Sequence, residues 1–405
     1  MGLCICGCNK PCKDHTPMLF STAARLSSMC IALAGLIGVV ACQKDAASPT
    51  TSDLAALPLV AAAPANNASS PEKIALGRAL FWDPVLSGEK DVSCATCHHP
   101  ATGYADALDL SIGANGQGLG AARRFRTPND LPFVKRNSPT VLNAAFNGLT
   151  AAGAVDPALA PMFWDGRAKS LEAQSLLPVA SLEEMRGHQY AEGVALDSAV
   201  ARLRCIPAYA SMFNAAFTET TPVTAVNIGK ALACFERTLI ATDSRFDDYM
   251  RGNQAALSSQ EVAGLNAFVQ SGCAKCHSGP MLSDYQMHTL GVADNGKNTA
   301  TDSGVNGTYA FRTPSLRNVA LTAPYMHSGT IRDLAGVLNF YDPGRGPAPS
   351  ANPHVPVSQR DPLFPTQVNN APAIIAFLGT LTATTYDRTV PAAVPSGLPV
   401  GGNIR

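Results

Sequence analysis

Cys94-Ala95-Thr96-Cys97-His98 and Cys273-Ala274-Lys275-Cys276-His277 are two copies of one short pattern, and their reading decides the fold. Two thiols three positions apart can each bond a vinyl group of one haem, and the histidine that follows is placed to ligate the iron from the same turn. A zinc site or a redox dithiol also uses paired cysteines, but either leaves the terminal histidine of both copies unexplained. The pattern implies two covalently bound haem c groups, one on Cys94, Cys97 and His98, the other on Cys273, Cys276 and His277.

More than the motif repeats. Ser138-Pro139-Thr140-Val141 with Asn143 begins forty residues after His98, and Thr313-Pro314-Ser315-Leu316 with Asn318 begins thirty-six after His277. Pro161-Met162-Phe163-Trp164-Asp165-Gly166 aligns with Pro324-Tyr325-Met326-His327-Ser328-Gly329, and Leu171 then matches Leu334. In that register Pro178 and Tyr341 are equivalent, each twelve residues past its glycine. If this position faces the iron opposite the motif histidine, Tyr341 offers a phenolate oxygen where proline presents only a hydrocarbon ring. One haem would be closed and the other open; the alternative for Tyr341 is a packed core tyrosine.

Helical spacing of apolar residues runs over Ser170 to Leu177, Val223 to Thr242, Ser258 to Val269 and Ala371 to Thr382, with no run of alternating strands. Long loops rich in Gly, Pro and Asn, Gly113 to Arg136 and Val292 to Tyr309, are of the kind that pack around cofactors. The expected fold is mostly α: two cytochrome c-like haem domains related by internal duplication, with long loops. The first spans residues 71–250, the second 251–390, and 391–405 form a tail.

The chain has 405 residues, 46% of them hydrophobic and 15% charged, enough apolar material for a sizeable core. Thirty basic and thirty acidic residues cancel. No basic run interleaved with aromatics appears, so the electrostatic footprint of a nucleic-acid binder is missing. Residues 18 to 42 read as a lipoprotein signal: Arg25, the apolar run Ile31 to Ala41, and Val39-Val40-Ala41-Cys42 as a lipobox. Eleven apolar residues are too few for a membrane span, which needs roughly 20. The mature protein would begin at lipidated Cys42, and Gln43 after it favours the outer membrane by resemblance to bacterial lipoproteins.

Residues 1–42 are therefore an extension plus signal peptide. Cys4, Cys6, Cys8 and Cys12 lie upstream of it, in a metal-binding tract or, more simply, ahead of the true start at Met18. Residues 43–70, rich in Ala, Pro, Ser, Thr and Asn, read as a flexible linker. Export and haem attachment together place the body in the periplasm. There Cys205 and Cys234 either pair as a disulfide or remain buried thiols.

These segments resemble the bacterial diheme cytochrome c peroxidase and MauG superfamily. The resemblance runs from Ile74 to about Leu381 through both haem motifs. It includes Arg136-Asn137-Ser138-Pro139, Phe163-Trp164-Asp165-Gly166-Arg167, Leu171-Glu172-Ala173-Gln174, Glu184-Met185, Phe235-Glu236-Arg237-Thr238-Leu239, Thr313-Pro314-Ser315-Leu316-Arg317-Asn318 and Ala323-Pro324-Tyr325-Met326-His327.

The resemblance implies an oxidoreductase in which the haem on Cys94 and Cys97 reacts with peroxide, with His98 proximal, and the haem on Cys273 and Cys276 transfers electrons. It implies that Trp164 relays between them, though a large aromatic is also an ordinary core residue. Gln174, Pro178 and Glu184 match the MauG distal pocket, where a carboxylate can take and return the proton that moves as peroxide is split. Peroxidases of this family commonly carry a histidine that must leave the first haem iron; from Pro100 up to His188 there is none, which implies an open first haem. Tyr341 stands where MauG has an axial tyrosine and the peroxidases have methionine, with Met326 as the alternative ligand.

A calcium ion is implied at Asn137, Thr322 and Pro324, whose oxygens suit it, although no carboxylate cluster marks the place. The activity implied is reduction of hydrogen peroxide with electrons from a small c-type cytochrome or cupredoxin. The alternatives are a MauG-like oxidase acting on a protein side chain, and an electron carrier whose first haem is closed by Met162 or Met185.

Overall fold

The computed structural model describes residues 50, 53–345 and 351–405, all within one compact unit. The helices in chain order are α1 (Pro71–Trp82), α2 (Cys94–Cys97), α3 (Leu171–Gln174), α4 (Leu177–Ala180), α5 (Glu192–Arg204), α6 (Pro207–Ala216), α7 (Ala225–Glu236), α8 (Arg245–Met250), α9 (Ser259–Gln270), α10 (Leu334–Tyr341) and α11 (Ala371–Thr380). Strands among the described residues are confined to three antiparallel pairs of two residues each, such as Met287–His288 with Phe311–Arg312.

Local chemistry sets where the helices begin. The Ser70 hydroxyl accepts from the Lys73 amide, with Pro71 pre-set at the first helical position of α1. Thr224 caps α7, Asp333 caps α10, and Ser258 and Glu261 cap each other's backbone at the start of α9.

Two helix pairs carry the two cores. α1 packs on α7 around Leu76, Leu80, Phe81, Leu232 and Phe235, and α9 packs on α11 around Leu265, Phe268, Ile374 and Phe377. Each pair is drawn together by a glycine where mid-helix glycine would otherwise cost about 1 kcal/mol. A Cβ on Gly77 would sit 1.9 Å from the Ala231 carbonyl oxygen, and one on Gly264 would sit 1.9 Å from that of Ala373. Asn143 and Asn318, equivalent in the repeat, both adopt left-handed backbone at φ +63° and +60°. Their amides donate to the carbonyls of Leu239 and Leu381, and their side-chain oxygens accept from the amides of Ala241 and Ala383.

The structure departs from the sequence expectations in four places. The helix expected over Ser170 to Leu177 is split into the single turns α3 and α4, because Pro178 lacks the N–H that would bond residue 174 and its ring crowds that carbonyl. The helix expected to reach Thr242 stops at Glu236, where the Leu239 carbonyl turns aside to accept from Asn143.

Part of the stretch read as a flexible linker is seated on the body. Leu54 and Leu57 are buried, the Leu57 amide donates to Asp247 at 2.8 Å, and Arg317 donates to the Ala55 carbonyl at 2.9 Å. Isolated apolar anchors of this kind leave no period to detect. The tail folds back on the first motif: the Gly401 amide donates to the Trp82 carbonyl, and the Thr96 hydroxyl, between the two motif cysteines, donates to the Gly401 carbonyl at 2.8 Å.

Cys205 is exposed at the end of α5 while Cys234 is buried in α7, and both are free thiols. The lipoprotein signal, Cys42 and the four upstream cysteines lie outside the described residues. Among the described residues no helix is long and apolar enough to cross a membrane.

The N-terminal segment, α8 and the loop before Asn318 meet at a buried ion pair, Arg317 to Asp247 at 2.9 Å. Asp247 also accepts from the Leu57 amide and the Ser244 hydroxyl, and Arg317 donates to the carbonyls of Pro280 and Ala55. Removing one partner strands the other charge, so Asp247→Ala is expected to lose about 3–5 kcal/mol in denaturant unfolding, and a loss below about 1 kcal/mol would contradict this.

Candidate functional site

The first motif is folded as the single turn α2, in which the Ser93 amide donates to the Thr96 hydroxyl at 2.9 Å. In the second, Cys273–Lys275 form a tighter 3₁₀ turn. Both motif histidines are fixed in the same way: Nδ1 of His98 lies 3.1 Å from the Tyr104 carbonyl oxygen, and Nδ1 of His277 lies 3.0 Å from that of Leu282. Tyr104 and Leu282 both hold left-handed backbone, at φ +57° and +49°, a strained choice for bulky side chains. With Nδ1 donating to a carbonyl, Nε2 keeps its lone pair. Burial holds both imidazoles below the usual histidine range and so neutral, as iron ligation requires.

One cavity of about 590 Å³ is lined by Cys97 and His98 of the first motif and by Cys273, Cys276 and His277 of the second. Cys94 packs against the adjoining core. Burial pushes the thiols of Cys97 and Cys273 up to about 12, the reverse of the lowered thiol of a redox dithiol. Thiols held neutral, paired with neutral histidines whose second nitrogen is free and set around an apolar-walled cavity, fit covalent haem at both motifs.

The other residues singled out from the sequence come to the same cavity: Trp164, Gln174, Pro178 and Glu184, then Tyr341 and Met326, and also Asn137, Thr322 and Pro324. Glu184 sits on the turn Leu182–Arg186, whose bonds run i to i+5: Arg186 to the Ser181 carbonyl at 2.9 Å and Gly187 to that of Leu182 at 3.0 Å. Such π-turns are uncommon and recur at functional sites. Burial, with the neighbouring Glu183, pushes the Glu184 carboxyl up to about 7 against the pull of Arg167 and Ser181. The turn is backed by Gly113, where a Cβ would lie 2.2 Å from the Glu184 carbonyl oxygen.

Trp164 is held on both sides: its indole Nε1 donates to the Asn137 carbonyl at 2.9 Å, and its own carbonyl accepts from the Arg312 amide at 2.7 Å. Tyr341, at the end of α10, is edge-on to Phe340 and Phe364, and burial with Cys273 and Cys276 pushes its phenol up. A phenolate there needs a cation beside it. Of the two methionines that could close the first haem, Met185 is buried in the core around α1 and α7. The Met162 sulfur lies on the cavity wall and accepts from Asn147 at 3.4 Å. Asn137 donates its amide N–H to the Leu108 carbonyl at 2.8 Å, which fixes the side chain at the proposed calcium position. The donors there are neutral oxygens, which suit a hard cation.

Three features were not singled out in the sequence. His327, within a motif already quoted, stacks on Phe311 at 3.6 Å and lies edge-on to Trp164 at 6.4 Å; burial pushes it down to about 4, so it is neutral. Arg136 ties the two halves beside Trp164 by bonds to Asp302 at 2.6 Å and Asp165 at 2.7 Å. His288 is clamped between Asp361 at 2.5 Å and Asp284 at 3.1 Å, and Asp284, Cys276 and Asp361 push it up to about 11. Cys276, Asp284 and His288 have the spacing of a metal site. Both imidazole nitrogens are engaged by carboxylates, however, and the cysteine belongs to the haem motif. Only three-dimensional pairing with two separate segments, around Asp302 for Arg136 and around Asp361 for His288, brings these groups together, and no local spacing announces it.

Residues 71–255 match the family described as di-haem cytochrome c peroxidase. The methylamine utilization protein MauG of Methylorubrum extorquens is 34% identical over 333 residues, covering 81% of this chain and 83% of that protein. The cytochrome c551 peroxidase of Pseudomonas aeruginosa is 37% identical over 270 residues, covering 64% and 68%. The crystal structure of a MauG-like protein associated with microbial copper homeostasis superposes with a TM-score of 0.64 at 28% identity, covering 81% of this chain and 95% of that one. The chain belongs to the di-haem cytochrome c peroxidase and MauG family, and the family's two haem c groups account for its two motifs.

Gly113→Ala should force the Glu184 turn away from residues 113–114. The expected result is an altered absorption spectrum of the first haem with the second unchanged; an unaltered spectrum for both would show that the turn does not depend on this contact.

Proposed function

We propose that this member of the di-haem peroxidase and MauG family reduces hydrogen peroxide at an open first haem, with electrons passed by a closed second haem. The single observation that carries the reading is the placement of Glu184: a half-buried carboxyl on a π-turn, pushed up to about 7, lining the cavity of the first motif with Gln174 and Pro178. When bound, the haems supply the two-electron cleavage of peroxide and the passage of oxidising equivalents between the two centres.

The residues of the chain do the rest. Pro178 turns a saturated ring to the cavity and offers no ligand atom, and neither Met162 nor Met185 is free to do so, the first engaged by Asn147 and the second enclosed in the core. Glu184, as carboxylate, takes the proton from the inner oxygen of peroxide and returns it to the outer one, so that the outer oxygen leaves as water rather than hydroxide. The Gln174 amide can orient the peroxide in the same pocket. Trp164, fixed between Asn137 and Arg312, stands between the two halves as the relay. Tyr341 would hold the iron of the second haem, with Met326 as its rival, and Asn137, Thr322 and Pro324 would hold the calcium ion.

The matched glycine contacts of Gly77 and Gly264 and the matched Asn143 and Asn318 bonds support two duplicated haem domains, residues 71–250 and 251–390. The donor would be a small c-type cytochrome or cupredoxin meeting the protein in the periplasm, where Cys42 would anchor it to the outer membrane.

A second reading, MauG-like oxidation of a protein side chain, is favoured by Tyr341 and by the identity to MauG over 81% of this chain. Reductant consumption with a small cytochrome donor separates the two.

Glu184→Gln is expected to slow peroxide cleavage about a hundredfold or more with both haems attached. The wild-type rate should rise with pH through about 7, as Glu184 ionises and becomes able to accept the proton, and the variant should lose that rise. Stopped-flow absorbance measures both, and an unchanged rate removes Glu184 from the scheme. Tyr341→Phe should convert the spectrum of the second haem; a spectrum identical to wild type assigns Met326 instead.

A further inference from the structure

Four buried side-chain atoms without a partner among the described residues belong to one cluster: Oε2 of Glu236, Oε2 of Glu172, and Nε and Nη1 of Arg237. Glu172 and Arg237 are bonded to each other through their remaining atoms at 2.7 Å, and Glu236 lies within electrostatic reach of both. Leaving a buried charged donor or acceptor unmatched costs about 1–3 kcal/mol or more, so polar atoms gathered this way normally share ordered water.

The cluster has two ends. Glu172, on α3, has a side chain 17% exposed and is held by Arg237 and by the Asn67 amide at 2.8 Å. Glu236, the last residue of α7, is 4% exposed and lines the cavity of the first motif. Gln174 lines the same cavity two residues beyond Glu172 on α3. The cluster thus runs from a partly exposed carboxylate, past a guanidinium, to a buried carboxyl in the cavity wall.

We propose that Glu172, Arg237 and Glu236, bridged by water, form a proton inlet that ends at Glu236 and feeds the first-haem cavity. The proposal rests on the peroxide-reducing reading. Peroxide accepts two electrons and two protons to become two waters. The O–O bond breaks, the electrons come from the redox-protein donor, and the protons come from bulk water. Glu184 only returns the proton it removed, so both consumed protons must enter from outside.

A neutral carboxylic acid can pass a proton inward and be refilled from the water behind it. Burial first, and the Glu172 carboxylate second, push Glu236 up to about 8 against the pull of Arg237, so it carries a proton at neutral pH. The remaining nearby charges are accounted for: Cys94 belongs to the haem motif, and Arg78, over the Phe235 ring, is paired with Asp387.

Two measurements test the inlet. At pH 7 the difference between the wild-type and Glu236→Gln infrared spectra, in which the Glu184 contribution cancels, should show a protonated-carboxyl band that shifts on deuteration; a difference spectrum without such a band overturns the assignment. Proton uptake by the reduced protein on mixing with peroxide, read by a pH dye in weak buffer, should slow on the order of tenfold in both Glu236→Gln and Glu236→Leu. Glu236→Asp should recover part of the rate, with two haems per chain verified in each variant. A wild type inert to peroxide overturns the peroxidase reading and the inlet with it. A reactive wild type whose proton uptake neither Glu236→Gln nor Glu236→Leu changes overturns the inlet alone.

Discussion

The bond from each motif histidine to a backbone carbonyl is the constraint on which the site depends. His98 leans on Tyr104 and His277 on Leu282, and in both cases the carbonyl belongs to a bulky residue held in left-handed backbone. Such strain persists only where the surroundings over-determine it. Around the first motif those surroundings are the Tyr104 ring beneath Phe81, its hydroxyl on the Asp387 carbonyl, and the C-terminal strap over Thr96. The tail of the chain therefore takes part in fixing the first motif around His98, and through the Glu236 end of α7 the same helical core reaches the cavity.

Against this shared proximal geometry the distal sides differ. The position that carries Pro178 in one half carries Tyr341 in the other, and proline also breaks the helix that would have filled the space, leaving α3 and α4 as separate turns. The break lets the chain enter the π-turn that carries Glu184 into the cavity. On the proposed reading, this single difference removes a ligand atom, opens the pocket and places the group that handles protons.

Much of this was legible in the sequence because it is written locally or twice. The two cysteine motifs fix cofactor and partner histidines by spacing alone, and the repeat of Asn143 in Asn318 marks bonds that the fold makes twice. Trp164, Gln174, Pro178, Glu184 and Tyr341 were named from motifs, and all reach one cavity. What could not be read depends on contacts with no period. Leu54 and Leu57 anchor an Ala- and Pro-rich stretch as single residues, the strap binds through backbone amides of Gly401 and Asn403, and His288 acquires Asp361 from far along the chain. Glu183 shares the turn, the backing of Gly113 and the cavity wall with Glu184; what sets Glu184 apart is the environment that raises its carboxyl, which has no sequence signature.

The central claim is that one iron keeps a free coordination position while its twin does not. Electron paramagnetic resonance of the fully ferric protein tests it most directly. The expected spectrum contains one high-spin and one low-spin haem in equal amounts, with only the high-spin signal changing on addition of peroxide. Two low-spin haems, both indifferent to peroxide, would contradict it.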